Sequence, residues 1–463
     1  MSMHLDAATV ICARWVAPVA PDATLIYENY AVVLDSRGKI ADLCAIPEAT
    51  EKYSDSAIEF VHLPNHLLIP GLVNAHTHTG MTLMRGKADD EPLLTWLHNT
   101  VWPIEGKFTH RERFCHDGAL LAAAEMLISG TTAFADMYWN PIEAAEAVER
   151  AGIRALLGLI CIGFPSHFAK SEQEYIENGI RIAETLKDKE RITLAWAPHA
   201  PYTVSDSALK QLGQLSTDMQ IPLHVHLHET EDECSASAKL ETTNPACHRS
   251  EHAARPLSNF DRLGLVNSRL LAAHVVHTTD EEISLLANSG ANVVHCPSSN
   301  MKLASGFCRV SDMIAAGVHV ALGTDSAASN NSLDMFSEMR AAALLAKNVS
   351  RDPTTVPAAT ALKMATLNGA RALGLSDELG SIELGKQGDL VAVELGTRVH
   401  TAPVFHPLST LVYSATREDV REVWVGGKRL VSNGKLLHLD VAELLVSAEQ
   451  WMSQMTKEMS STT

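Results

Sequence analysis

Histidine is frequent in this chain of 463 residues, which contains 22 of them, and its imidazole can bind metal ions or carry protons near neutral pH. Two of them, His76 and His78, form an H-x-H pair at the end of the apolar run 67–78. If that run is a β-strand, alternation puts both rings on one face. Two neutral imidazoles at that separation can bind one divalent ion.

Further side chains of types that can bind metal ions or carry protons stand at the ends of other apolar runs. They are His199, then His226, His228 and Glu229, then His274 and His277, then His295, and finally Asp325. A third histidine from the run 221–229, together with Asp325, would complete a set of three nitrogens and one carboxylate. Such a set leaves a position for water on zinc or a similar ion, which is typical of a catalytic rather than a structural metal site.

The elements that must position these residues are strand-like runs that alternate with helical stretches. Near-continuous apolar runs are typical of strands buried on both faces. They cover residues 67–78, 131–137, 154–161, 192–199, 221–229, 270–277, 292–299 and 319–326. Eight such units predict an α/β fold, a (β/α)8 TIM barrel with its active site at the carboxyl ends of the strands. The alternative is an open doubly wound sheet, which is less favoured because no GxGxxG motif opens the first unit.

The two ends of the chain differ from its middle. Residues 1–66 and 375–463 contain short β-like segments, and Asn433, followed by glycine, is a strong hairpin signal. Neither end is large enough for a core of its own. We therefore predict one small β-sandwich built from both ends, with a C-terminal helix over 440–458 that packs on it. The catalytic barrel is expected to cover 67–374.

The composition argues against several classes of function. The formal net charge is −18, from 37 basic and 55 acidic residues, so no nucleic-acid or membrane partner is expected. No apolar run is long enough for a transmembrane helix, and we see no signal peptide. The eight cysteines are scattered without a CxxC pair, as in proteins of a reducing compartment. We expect a cytoplasmic protein that forms a homo-oligomer.

Several of these motifs together resemble a known family. The run PGLVNAHTHTGMTLMRG, the segment HVHLHET, the AAH that ends at His274 and the segment GTDSAASNNSLDM resemble the amidohydrolase superfamily. More narrowly, the run from Pro70 through WPIE resembles the 5-methylthioadenosine/S-adenosylhomocysteine deaminases. The likeness covers essentially the whole chain. It implies an amidohydrolase-type barrel with a β-sandwich from both chain ends, and a metal-dependent deaminase activity.

The resemblance also implies roles for individual residues. The metal ligands are His76, His78, His226 and Asp325, the catalytic groups are Glu229, His274 and Asp325, and the substrate contacts are Glu105, His199, Glu229 and Trp102. Many binuclear relatives carry a metal-bridging lysine at the end of the fourth strand, whereas this chain reads ITLAWAPH there. We therefore expect one divalent ion per chain, with Zn²⁺ as the best match to nitrogen and oxygen ligands.

These roles are chemically consistent with the hydrolytic removal of an amino group from a ring. A divalent ion makes hydroxide available near neutral pH, and Glu229 can take a proton from water and deliver it to N1 of adenine. His274 would orient the nucleophile, with His277 as its rival for that role. Asp325 would also accept the nucleophile's proton for transfer to the leaving amine, and its alternative is a helix N-cap.

The expected reaction is deamination of the small-molecule nucleoside 5′-methylthioadenosine, with S-adenosylhomocysteine and adenosine as further candidates. Glu105, beside Trp102, would accept hydrogen bonds from a ribose diol and so select nucleosides over free bases. Some relatives place arginines after the third strand, where they can pair with the homocysteine carboxylate. This chain has none between Arg154 and Arg181, with Lys170 as the candidate substitute, so S-adenosylhomocysteine is the less favoured substrate.

Four points stay open in the sequence. The substrate could be another aminated ring, such as guanine, an oxidised purine or an s-triazine, and the barrel could be a non-catalytic scaffold. His228 is either a support for the metal site or an ordinary buried histidine. The long stretch 241–252 is a lid, an oligomer contact or a tolerated surface insertion.

Overall fold

A computed structural model of the chain describes residues 7–55, 57–234 and 255–460, so the stretch 241–252 lies outside the described residues. Its strands form two sheets of eight strands each. The strands are β1 (Ala7–Val16), β2 (Tyr27–Asp35), β3 (Ile40–Ala45), β4 (Glu59–Pro70), β5 (Leu72–Thr77), β6 (Thr131–Asp136), β7 (Arg154–Cys161), β8 (Ile192–Pro198), β9 (Leu223–Leu227), β10 (Leu270–His274), β11 (Asn292–His295), β12 (His319–Leu322), β13 (Leu390–Glu394), β14 (Val420–Val425), β15 (Lys428–Ser432) and β16 (Lys435–Leu436).

Strands β5 to β12 form a nearly closed barrel. They lie side by side in chain order, and each neighbouring pair is parallel. Most of their side chains are buried, because one face fills the barrel interior and the other contacts the surrounding helices. Each of the eight apolar runs corresponds to one of these strands, so the predicted (β/α)8 barrel is confirmed.

The first and last barrel strands meet at a seam that polar groups close. The Asn74 side chain on β5 donates to Thr324 Oγ1 over 2.7 Å, and the Thr324 backbone N–H donates to Asn74 Oδ1 over 2.9 Å. One residue further on, the Asp325 N–H donates to the carbonyl oxygen of His76 over 3.0 Å. The seam therefore holds Asp325 directly beside His76.

Helices surround the barrel and connect its strands. They are α1 (Ile46–Lys52), α2 (Leu93–Trp96), α3 (Trp102–Phe108), α4 (Phe114–Ile128), α5 (Pro141–Ala151), α6 (Glu172–Leu186), α7 (Asp206–Met219), α8 (Glu231–Cys234), α9 (Pro256–Arg262), α10 (Asp280–Ser289), α11 (Pro297–Lys302), α12 (Val310–Ala315), α13 (Met335–Ser350), α14 (Ala358–Met364), α15 (Leu367–Ala372), α16 (Pro407–Tyr413) and α17 (Val441–Ser460). Among the described residues, none of these helices is both long and apolar enough to cross a membrane.

The second sheet is mixed and combines both ends of the chain. Its order is β16-β15-β14-β13-β4-β1-β2-β3, so β13 from the C-terminal part pairs with β4 from the N-terminal part. The predicted hairpin is confirmed: Asn433 and Gly434 adopt φ values of 51° and 73° between β15 and β16. The predicted module from both chain ends is thus a single mixed sheet. The boundaries of the two domains stay a prediction.

The C-terminal helix α17 packs on the barrel, which corrects the expectation that it would cover the second sheet. Its main partner is α4, against which the Trp451 ring stands edge-on to Phe114 with 5.2 Å between centroids. The Trp451 indole N–H also donates to Asp117 over 3.1 Å. The sequence shows that one face of this helix is apolar, but periodicity does not identify the surface that covers that face.

A buried ion pair joins the barrel to the second sheet. The Arg154 guanidinium, at the start of β7, donates to both carboxylate oxygens of Asp389, over 3.1 and 3.2 Å. Asp389 directly precedes β13, and its Oδ1 also accepts from the Gly426 N–H over 2.7 Å. Only 3% of the Asp389 side chain is exposed.

Candidate metal centre and active site

Five ionisable side chains meet at the carboxyl end of the barrel. His76 and His78 stand at the end of β5, His226 lies on β9, His274 ends β10 and Asp325 follows β12. The His76 ring centroid lies 4.9 Å from those of His78 and His226, and 5.5 Å from that of His274. The backbones of His274 and Asp325 adopt positive φ values of 73° and 61°. Such strained conformations often occur at functional sites.

The four predicted metal ligands present their ligating atoms to one another at short range. The Nε2 atoms of His76 and His78 lie 3.4 and 3.2 Å from Asp325 Oδ1. The Nε2 atoms of His226 and His78 are 3.2 Å apart. Three imidazole nitrogens and a carboxylate oxygen thus converge, as a divalent ion requires of its donors.

The protonation of two of these rings follows from their outer hydrogen bonds. His78 Nδ1 lies 2.6 Å from the Met137 carbonyl, and His226 Nδ1 lies 2.7 Å from the His199 carbonyl. A carbonyl oxygen only accepts, so each Nδ1 carries a proton, and in a neutral ring Nε2 then has a free lone pair. Burial favours the neutral ring of His226 by holding its pKa well below the usual range.

His76 provides a further test of whether this donor set fits a metal ion. Its side chain is fully buried, and its Nε2 makes no hydrogen bond to any described residue. Burial lowers the pKa of His76 to about 4, so the ring is neutral. A buried, unpartnered nitrogen beside another lone pair and a carboxylate is costly unless a cation satisfies it. The residues therefore fit a divalent metal ion.

Asp325 is held so that one oxygen remains directed at the histidines. Its Oδ2 accepts from the hydroxyls of Ser299 and Ser329 over 2.6 and 2.8 Å, which leaves Oδ1 beside His76 and His78. Burial opposes ionisation of this carboxyl, but His76 and His78 outweigh burial and hold its pKa well below the usual range. Asp325 is thus an ionised, oriented carboxylate.

Two alternatives from the sequence find no support in this arrangement. The residue that caps the helix after β12 is Asp334, the N-cap of α13, and not Asp325. His277, the rival of His274, points its Nε2 at the Ser305 carbonyl over 2.6 Å. His274 faces the cavity that His78, His226 and Asp325 line, whereas His277 does not line it.

Glu229 and His274 form a second pair beside the donor set. Glu229 Oε2 lies 3.9 Å from His274 Nε2, and both side chains are buried. Burial raises the pKa of Glu229, so this carboxyl binds a proton more readily than one in water. Burial also favours the neutral ring of His274, but Glu229 and Asp325 outweigh it and raise the pKa of that histidine. Such paired, shifted groups are typical of proton transfer.

The Glu229 backbone is positioned by a residue that the sequence analysis missed. The two carboxylate oxygens of Glu233, on α8, accept from the backbone N–H groups of His228 and Glu229 over 2.9 and 2.8 Å. His228 has a φ of 54°, so the chain turns sharply where β9 ends. An acid in the acidic stretch ETEDE is more often an exposed residue, and the spacing alone did not mark Glu233.

His228 is a buried, fully hydrogen-bonded histidine rather than a member of the donor set. Its Nδ1 donates to the His277 carbonyl over 2.9 Å, and its Nε2 accepts from the Leu257 N–H over 3.0 Å. Both ring nitrogens therefore have partners outside the site. Burial lowers the pKa of His228 to about 4, which keeps the ring neutral.

Three of the four predicted metal ligands, His78, His226 and Asp325, line a cavity that the predicted substrate contacts also line. Trp102, Glu105 and His199 all line it, together with Glu229. His199 Nδ1 lies 2.9 Å from the Thr203 hydroxyl. Glu105 is buried, which raises its pKa to about 7, while the side chains of Tyr138 and Trp139 beside it act in the opposite direction.

Most of the remaining described residues that line the cavity are apolar. One wall consists of Leu93, Trp96, Leu97, Val101, Ile160 and Ile162. No lysine or arginine occurs among the described residues that line the cavity. Lys170 lies elsewhere, with its ammonium group on the Ser166 carbonyl over 2.9 Å.

Comparison with known proteins agrees with this architecture. The sequence model of the amidohydrolase family matches residues 67–430. The chain belongs to the amidohydrolase family. The matched region includes all the barrel strands and, from the second sheet, β13 and β14 with parts of β4 and β15.

Similar members of this family have names that concern deamination. A relative from Teredinibacter turnerae, named 5-methylthioadenosine/S-adenosylhomocysteine deaminase, is 42% identical over 443 residues and covers 96% of each chain. A relative of the same name from Saccharophagus degradans is 38% identical over 97% of each chain. A solved structure from Xanthomonas campestris, described as an adenosine deaminase with bound zinc, has a TM-score of 0.92 and 43% identity over 97% of this chain and 99% of that one. The family resemblance seen in the sequence is confirmed.

Proposed function

We propose that this amidohydrolase removes the 6-amino group of adenine nucleosides by hydrolysis, with 5′-methylthioadenosine as its best substrate. The observation that carries the proposal is the convergence of the ligating atoms of His76, His78, His226 and Asp325, of which the last three line the same cavity as Glu105. The names of the relatives in Teredinibacter turnerae and Xanthomonas campestris support the same reaction.

We infer that the four ligands hold one divalent ion per chain, with zinc as the expected ion. The similar structure from Xanthomonas campestris contains bound zinc, and the nitrogen and oxygen donors suit that ion. When bound, the ion would lower the pKa of a water molecule and so supply a nucleophile near neutral pH.

The chain's own groups would then handle the protons. Glu229 takes a proton from the water and delivers it to N1 of the adenine ring as oxygen adds to C6. His274 orients the oxygen by a hydrogen bond and stabilises the charge that develops on it. Asp325 accepts the second proton and passes it to the amino group. The C6–N bond breaks, ammonia leaves, and the ring becomes hypoxanthine.

The cavity walls argue for an uncharged 5′ substituent. Glu105 would accept hydrogen bonds from the ribose diol, and Trp102 and His199 would contact the nucleoside. The apolar wall that contains Leu97 and Ile162 suits a methylthio group. The carboxylate of S-adenosylhomocysteine would enter a cavity without a lysine or arginine among its described lining residues, and an unpaired buried charge is costly.

The remaining expectations belong to the same proposal. We infer a barrel domain over 67–374 and a second domain from 1–66 and 375–463. The net charge of −18 disfavours nucleic-acid and anionic membrane partners. We also expect a homo-oligomer in the cytoplasm.

Ultraviolet spectra of zinc-loaded protein test the reaction. Purified protein is incubated in parallel with 5′-methylthioadenosine, adenosine, S-adenosylhomocysteine and guanine, and ammonia is measured. We expect the adenine spectrum to change to that of hypoxanthine, with kcat/KM for S-adenosylhomocysteine at least about tenfold below that for 5′-methylthioadenosine, since about 1.4 kcal/mol of lost transition-state stabilisation is tenfold in rate.

Two outcomes would contradict the proposal. If protein with one ion per chain converts no adenine nucleoside, the substrate assignment is wrong and other aminated rings are to be tested. If S-adenosylhomocysteine is the better substrate, the lack of a lysine or arginine in the described cavity lining does not decide the substrate preference, although the reaction stands.

A further inference from the structure

His224 contacts the proposed metal ligand His76 at Nδ1, the ring nitrogen that does not bind the metal. It lies on β9, two residues before His226, and its side chain is fully buried. Its Nε2 lies 2.8 Å from Nδ1 of His76. His224 was not among the site residues predicted from the sequence, although His224 and His226 repeat the H-x-H spacing of His76 and His78.

This contact differs in kind from those of the other two histidine ligands. The Nδ1 atoms of His78 and His226 donate to the backbone carbonyls of Met137 and His199. A carbonyl can only accept, so the fold itself fixes the tautomer of these two rings. The partner of His76 is another imidazole, which can either donate or accept.

Two proton arrangements are compatible with the contact between the two rings. In the first, His76 carries its proton on Nδ1 and donates to Nε2 of His224, so that His76 Nε2 has a free lone pair. The proton of His224 is then on its Nδ1, which has no hydrogen-bond partner among the described residues. In the second, His224 donates to His76, whose own proton is then on Nε2, 3.4 Å from Asp325 Oδ1. Only the first arrangement leaves His76 able to bind a metal ion.

We propose that His224 is a positioning residue that holds His76 in the tautomer required for metal binding. The inference rests on the metal site of the proposed function. His76 is fully buried, so loss of the acceptor on His224 would leave the Nδ1 proton unpaired at a cost. The ring would then favour the tautomer with its proton on Nε2, and this proton occupies the ligating lone pair.

Zinc affinity tests this role without reference to a substrate. His224→Gln retains an acceptor near the position of the ring Nε2, whereas His224→Asn carries the same amide one methylene short, and His224→Leu has no acceptor. We measure the Kd for zinc of each variant by competition with a chromophoric chelator. We expect the Asn and Leu variants to bind zinc about 10- to 100-fold more weakly, as is usual when a ligand's outer partner is lost, and the Gln variant to stay within about threefold of wild type.

His295→Asn is the matched control. His295 is also fully buried at the end of a barrel strand, and its Nδ1 has no hydrogen-bond partner among the described residues. We expect its zinc Kd to be unchanged. Thermal midpoints of the metal-free variants identify any that fail to fold. If the Leu variant fails to fold, comparison of the zinc affinities of the Asn and Gln variants still tests the role of His224.

The proposal is overturned if the Asn variant binds zinc as tightly as wild type, or if the Gln variant loses as much affinity as the Asn variant, since the role of His224 would then be steric. Neither result bears on deamination. Conversely, wild-type protein that binds zinc tightly but converts no adenine nucleoside contradicts the proposed function and leaves the role of His224 intact.

Discussion

Glu105 is the residue at which the proposed selection of nucleosides over free bases can be tested. It is a buried carboxyl in the wall of the cavity, and its pKa is raised to about 7 by burial. An ionised carboxylate can accept hydrogen bonds from both ribose hydroxyls, whereas an amide offers one oxygen and a donor. We expect Glu105→Gln to lower kcat/KM for 5′-methylthioadenosine about 10- to 100-fold, the effect of losing a charge-assisted hydrogen bond.

Free adenine serves as the comparison substrate, because it lacks the ribose. Any turnover of adenine is expected to change little in the Glu105→Gln variant, and Glu190→Gln, at an exposed position, provides the control for the loss of a carboxylate. Equal losses with the nucleoside and the free base would count against contact between Glu105 and ribose. The measurement is steady-state kinetics with both substrates.

At the scale of elements, the turn from β9 into α8 determines where Glu229 stands. Both oxygens of Glu233 accept backbone N–H groups there, over 2.9 and 2.8 Å. Glu233→Gln can accept only one of them and faces the other with an N–H. We expect kcat to fall about 10- to 100-fold, as for one lost buried hydrogen bond of about 1–3 kcal/mol, while the zinc content stays at one ion per chain.

Measurement of both kcat and zinc content shows whether the turn positions Glu229 or supports the metal site. A loss of zinc in Glu233→Gln would mean that the turn supports His226 rather than Glu229. Glu231→Gln, two residues earlier on the same helix at an exposed position, is the matched control and should keep wild-type kcat. Wild-type kcat in Glu233→Gln would contradict the positioning of Glu229 by this turn.

Elements of this chain differ in how far the sequence predicts them. The barrel strands are predictable because burial on both faces requires apolar runs, and the end of α10 is predictable because Gly290 adopts a φ of 71°. The docking of α17 is not, since the helix carries an apolar face that several surfaces could cover.

Residues of the candidate site also differ in how far the sequence predicts their positions. The H-x-H pair and Asp325 follow strand ends, so their convergence follows from the barrel alone. Contacts such as those of Glu233 and His224 depend on backbone turns and ring orientations, for which the sequence has no periodic signal. The roles assigned to the site residues stay predictions until the variants are measured.

At the scale of the whole molecule, the ion pair of Arg154 and Asp389 connects the barrel with the second sheet. Removal of one partner leaves the other charge buried, which costs about 3–5 kcal/mol. With an unfolding entropy of about 2.1 cal/mol/K per residue, this corresponds to a fall in Tm of about 3–5 °C for a chain of this length. We expect Arg154→Met to show this fall in a calorimetric scan of the zinc-loaded protein.

An ion pair in the second sheet whose arginine is exposed provides the control variant. The Arg37 side chain, which pairs with Asp35, is 79% exposed, so Arg37→Met should change the free energy of unfolding by no more than about 0.5 kcal/mol. Equal shifts in Tm for the two variants would show that the Arg154 ion pair between the two sheets stabilises the protein no more than the Arg37 ion pair does.

The seam between β5 and β12 has a consequence for the newly made protein. His78 leaves the ribosome about 250 residues before Asp325, and at translation rates of about 5–20 residues per second this interval lasts about 10–50 s. A nascent chain therefore exposes its H-x-H pair long before the strand that supplies the carboxylate exists. The full donor set arises only when the last barrel strand pairs with the first, so complete metal binding requires that synthesis has passed Asp325.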